Sequence, residues 1–131
     1  MPKLNTFLAA SAALSAALVA PAFAQPIAVG GAASGALEQS DPVNDERMSY
    51  MDAYEITLAE GQAIEVRMAS EVFDTYLIIG LQQPGYFESY DYNDDSEGTL
   101  NSRLRFVAPQ AGTYTIQATS FGSETTGPYS L

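Results

Sequence analysis

The sequence contains no cysteine and no histidine, and its one lysine is Lys3. Without cysteine there can be no disulfide, and the cysteine that would carry a lipid anchor at a cleaved N-terminus is also missing. The fold must therefore be held by its core and by cations, if it binds any. A serine or threonine nucleophile would have none of the usual histidine or lysine bases beside it, which excludes peptidase chemistry. Asp74-Thr75 is followed by Tyr76 rather than the glycine of an aspartic protease motif. Two of the sixteen acids could still lie at the separation that glycosidases use, but nothing in the sequence singles out such a pair, and no catalytic residue is expected.

Basic charge is scarce throughout. Beyond residue 24 there are four arginines against sixteen acidic residues, a net charge of −12. Such a surface repels nucleic acid and anionic lipid headgroups, so partners should be cationic, neutral or metal ions. Acidity also keeps an exported protein soluble without any partner.

The start of the chain reads as an export signal. Lys3 precedes an uncharged apolar run over 7–20, and Pro21-Ala22-Phe23-Ala24 supplies the small residues of a cleavage site. The run is short of the ~20 residues that span a bilayer. Residues 1–24 are thus a predicted signal peptide cleaved after Ala24, and the mature chain is periplasmic or extracellular, with no membrane contact after cleavage. Residues 25–32, small and uncharged, read as a flexible leader. The remaining 33–131 is the length of one domain.

That domain alternates with period two. Tyr54, Ile56 and Leu58 alternate with Glu55 and Thr57; after Glu60-Gly61, Ile64, Val66 and Met68 alternate with Glu65 and Arg67. Alternation puts one set of side chains in a core and the other in water, and the two runs suggest a hairpin. Leu104, Phe106 and Ala108 alternate with Arg103 and Arg105, and beyond Pro109 the segment 113–119 alternates again, suggesting a second hairpin. The apolar run 76–81 reads as a central strand covered on both faces. No segment after Ala24 shows a 3.6-residue period, and no internal repeat is present. The fold class is all-β, an antiparallel β-sandwich.

Gly35-Ala36-Leu37, Asp52-x-Tyr54, Glu60-Gly61-Gln62, Phe73-Asp74-Thr75-Tyr76-Leu77, Asn93-Asp94-Asp95, Asn101-Ser102-Arg103-Leu104, the run from Ala111-Gly112-Thr113 to Ile116, and Gly127-Pro128-Tyr129-Ser130-Leu131 follow one another in a characteristic order. In this order the chain resembles bacterial pre-peptidase C-terminal (PPC) domains over about residues 33–131. The resemblance implies a jelly-roll-like sandwich of seven to eight strands, usually appended to secreted peptidases as an accessory or binding module. It also implies calcium binding in some relatives. No peptidase accompanies the domain in this sequence, so a separate extracellular protein, a peptidase included, would be the partner.

Two constellations could carry binding. Asn93, Asp94 and Asp95 form an oxygen-rich turn, and Asp74 enters the central strand at what the resemblance makes the same end. Calcium takes six to eight oxygens, and a cation would explain the crowding; Asx turns to the local backbone explain it equally. Tyr86, Tyr90 and Tyr92 share one face of an extended strand with Glu88, and could stack on a glycan or a cationic peptide. The same stripe also suits the half-buried face of an edge strand. Arg103 and Arg105 should pair with acids across the sheet and carry no function. The leading expectation is a non-catalytic accessory domain with calcium as a possible cofactor; a carbohydrate-binding module and an envelope interaction protein are the alternatives.

Overall fold

A computed structural model describes residues 24–44, 46–94 and 99–131. The expected signal, 1–24, lies outside them except for Ala24. Among the described residues there is no helix, and ten strands follow in order: β1 (Gln25–Pro26), β2 (Ser34–Leu37), β3 (Val43–Asn44), β4 (Ser49–Leu58), β5 (Ala63–Met68), β6 (Thr75–Gln83), β7 (Tyr86–Asn93), β8 (Ser102–Val107), β9 (Gly112–Ser120) and β10 (Gly127–Ser130).

The larger sheet runs β1-β4-β9-β6-β7, with β3 also paired to the outer edge of β4. The facing layer is built from β5 paired with β8 and β10 paired with β2, joined by a bridge between Ala69 and Ser130. Between the layers pack Tyr54 and Ile56 of β4, Leu77 and Ile79 of β6, Ile116 of β9, and Met68, Leu104 and Phe106 from the other side. Leu77 and Ile79 have no exposed surface. Burying a side chain of that size stabilises by about 1.5–3 kcal/mol, so truncating either one opens a cavity at the centre of the sandwich.

The run 76–81 is indeed an interior strand: β6 pairs with β7 on one side and β9 on the other. The two expected hairpins do not form. β4 pairs with β9, and β5 pairs with β8, so each connection crosses from one sheet to the other instead of folding back within it. Alternation identifies which side chains face the core, and it is satisfied by either partner. The two crossings run together and bond each other, Gly61 N–H donating to the Ala108 carbonyl at 2.8 Å and Ala108 N–H to that of Gln62 at 2.9 Å. Tyr114 locks the second one by donating its hydroxyl to the Gln110 carbonyl at 2.5 Å.

Within the expected leader, 25–32, the first residues attach to the large sheet. Gln25 and Pro26 pair in parallel with Tyr54 and Glu55, and the Ile27 side chain packs on the core. Two paired residues leave no period in a sequence, which is why this attachment could not be read there.

Candidate functional site

β6 and β7 are joined through Pro84-Gly85. Gly85 has φ 85°, the left-handed conformation that follows proline in a type II turn. Four pairs beyond the turn the ladder slips: Ile79 faces Asp91, but Gly80 faces Ser89, leaving Tyr90 as the extra residue of a β-bulge. Gly80 is what permits the slip. A Cβ there would lie 2.0 Å from the Glu88 carbonyl oxygen.

The bulge overturns the expected tyrosine face. Side chains change sides across it, so Tyr90 turns inward at the rim of the core, its ring 6.2 Å from Phe106 and 6.1 Å from Tyr114. Tyr92 falls instead on the outer face, opposite Ile78, together with Phe87 and Ser89. There it stacks on Tyr76 with ring centres 5.7 Å apart and planes within 8°. Tyr90 supports the core edge, while Tyr92, 60% exposed, belongs to a surface that also takes in Tyr86.

That surface is a groove of about 540 Å³ on the outside of the large sheet. Its floor is Ile78 and Gln117, with Tyr76, Tyr92 and Phe87 on one side and Asn44 and Glu46 of the β3–β4 connection on the other. Asn44 organises this wall. Its Oδ1 accepts the N–H groups of Glu46 (3.0 Å) and Arg47 (3.2 Å), an Asx turn, while its Nδ2 donates to Gln117 Oε1 at 3.4 Å. The turn ends at Met48, which holds φ 57°. It delivers the Arg47 guanidinium to 3.9 Å from the centre of the Tyr76 ring and 5.2 Å from that of Phe121, where it donates to the Phe121 carbonyl at 2.7 Å. Burial pushes the Tyr76 phenol above its ordinary pKa, against the smaller downward pull of Arg47.

Gln117 is 5% exposed. Among the described residues its Nε2 has no protein acceptor, so its hydrogens are left to the groove. Sequence reasoning marked Gln117 merely as an outward residue of an alternating strand and did not single out Arg47, Asn44 or Tyr76. Only the stiff turn chemistry of Asn44 was visible in advance, and nothing in the sequence says that it folds back over β9.

The proposed calcium donors occupy another rim. β6 begins just after Asp74 and β7 ends at Asn93, so antiparallel pairing brings the two to the same end of the sheet. Asn93 Oδ1 accepts the Arg103 N–H at 3.1 Å, and the Asp94 carbonyl accepts Ser102 Oγ at 3.0 Å. Asp95 lies outside the described residues. Among those described, no three acidic side chains come within reach of one ion. Arg105, as expected, pairs across with Glu65, Nε to Oε1 at 3.0 Å.

A second polar cluster sits at the seam of the two layers. Tyr129 donates its hydroxyl to Asp52 Oδ2 at 2.7 Å, which leaves Tyr54 to donate to Tyr129 at 2.6 Å. Burial, reinforced by Asp41 and Glu38 and opposed by the Tyr129 bond, pushes the Asp52 carboxyl up to about 6. Burial likewise pushes the Tyr129 phenol up. The cluster fastens β10 to β4.

The comparisons agree with this architecture. The solved pre-peptidase C-terminal domain of a collagenase from Bacillus anthracis superposes with a TM-score of 0.60 at 16% identity, covering 85% of this chain and 94% of that one. No curated protein matches the chain. The family described as the bacterial pre-peptidase C-terminal domain matches residues 50–120, the stretch that carries β4 to β9, and the chain belongs to that family of typically non-catalytic domains.

Proposed function

We propose that the protein is an exported, non-catalytic accessory domain that holds a ligand in the groove outside its large sheet. The observation that carries this reading is the groove itself, where stacked Tyr76 and Tyr92 stand beside a buried Gln117 whose amide hydrogens face outward. Export is supported by the 1–24 pattern and by the family's association with secreted peptidases. The absence of histidine and cysteine, with lysine confined to position 3, supports binding without catalysis. A net charge of −12 beyond residue 24 favours neutral or cationic partners. Calcium is not needed for this reading.

Affinity capture from the native exported fraction on immobilised chain 25–131, with and without chelator, tests the proposal. A component retained by the wild type and released by Tyr92→Ser, in either buffer, is the expected result. No retained component, or retention indifferent to Tyr92, would reject the groove as the working surface, and retention lost only with chelator would restore the acid-rich rim instead.

A further inference from the structure

We infer that the groove takes an uncharged sugar ring, as the terminal or internal unit of a neutral glycan. The inference deepens the binding-module reading and rests on it.

Three features of the groove select this chemistry. The first is the aromatic wall: Tyr76 and Tyr92 stack with planes within 8°, the Arg47 guanidinium lies over the Tyr76 ring, and Tyr92 keeps 60% of its surface exposed. A rigid pair of rings offers flat apolar area at little entropic cost, and the flat C–H face of a pyranose is the complement of such a surface. The second is the amide pair at the floor. Gln117 Nε2 presents free donors and Glu46 supplies carboxylate acceptors in the same lining, while Asn44, bonded to Gln117, has its Oδ1 taken by the Glu46 and Arg47 N–H groups. A sugar hydroxyl both donates and accepts, so neighbouring hydroxyls on one ring satisfy both kinds of group at once. An apolar ligand would leave Gln117 Nε2 buried without a partner.

The third feature is charge. Among the described residues no basic side chain lines the groove and Glu46 is the one carboxylate in its lining, the nearby Arg47 guanidinium being taken up by the Tyr76 ring and the Phe121 carbonyl. Anionic ligands such as nucleotides, uronic acids or phosphosugars meet no counter-charge there and a net negative domain behind it. The volume of about 540 Å³ falls inside the range of small-molecule sites, about 300–1,000 Å³, and leaves room for a short glycan segment.

The test is affinity electrophoresis and calorimetry of chain 25–131 against xylan, laminarin, hydroxyethylcellulose and chitohexaose, with polygalacturonate as the anionic control and a proline-rich cationic peptide as the competing class. Retention by at least one neutral glycan and none by polygalacturonate is expected. Tyr92→Ser should weaken that binding at least tenfold with an unchanged melting curve. Gln117→Leu should weaken it comparably; if that buried substitution prevents folding, the exposed Tyr92 carries the test alone. Failure of all four neutral glycans, equal retention of polygalacturonate, or glycan binding that ignores Tyr92→Ser would each overturn the sugar assignment. Binding of the peptide alone, lost in Tyr92→Ser, would overturn it too while leaving the binding-module reading intact.

Discussion

On the outside of β5 and β8, Glu65 sits between Arg67 and Arg105, whose side chains are 71% and 73% exposed. On the outside of the larger sheet, Ala53, Ile78, Gln117 and Thr119 are buried although no third layer lies over them. Both faces show the same period of two in the sequence, polar residues alternating with core residues. The difference comes from what folds back. The β3–β4 turn, Phe87 and the Tyr76–Tyr92 stack overhang one face, while among the described residues nothing comparable overhangs Glu65, Arg67 and Arg105 on the other. A sheet surface becomes a site when its neighbours remove water from part of it, and that depends on tertiary placement rather than on the strand's own pattern.

Substitutions should separate the two faces by size of effect. The largest is expected from Gly80→Ala. The new methyl meets backbone at 2.0 Å, so the bulge must break, and a loss above about 3 kcal/mol follows from such an unrelievable clash. Chemical denaturation would measure it, and groove binding should vanish with β7 pairing. Arg47→Met comes next. It removes the guanidinium from Tyr76 and a hydrogen bond to Phe121, together worth about 1–2 kcal/mol, and should loosen the aromatic wall before the core.

Asp52→Asn probes the seam through pH. A carboxyl raised from 3.8 to about 6 in the fold binds more protons folded than unfolded, so its contribution falls as pH rises from about 4 to 6 and is level above. The wild type should therefore lose stability relative to Asp52→Asn across that window, by about 1 kcal/mol once solvent screening is allowed for, read as a divergence of the two melting temperatures. Glu65→Ala should change stability least, with no resolvable shift in melting temperature, because its two partners are in water. A larger loss there would erase the contrast between the faces.

Much of the sandwich was legible in the sequence. Alternation located the cores of β4, β5, β8 and β9, and the dense run 76–81 identified the interior strand. Strand partners were not legible, since Ile56 and Val66 face the core equally well whether their strands pair or lie in opposite sheets. The site was read only in part. Tyr92 was marked, but on the wrong face with Tyr90, because the one-residue slip depends on Gly80. A glycine inside an apolar strand does hint at a bulge, and that signal was available. Gln117 and Arg47 gave none: their roles arise from a turn some seventy positions away from β9 folding over it.

The pairing of β2 with β10 sets Ala36 against Pro128, 92 positions apart. With Ala33 and Leu131 exchanging two 2.8 Å bonds beyond it, the first and last parts of the domain are stitched to each other. Such distant segments meet only after most of the intervening chain has lost its freedom. The kinetics of self-assembly should accordingly be those of a high-contact-order protein, milliseconds to seconds rather than microseconds, and a nascent chain lacking its final few residues would leave β2 without a neighbour.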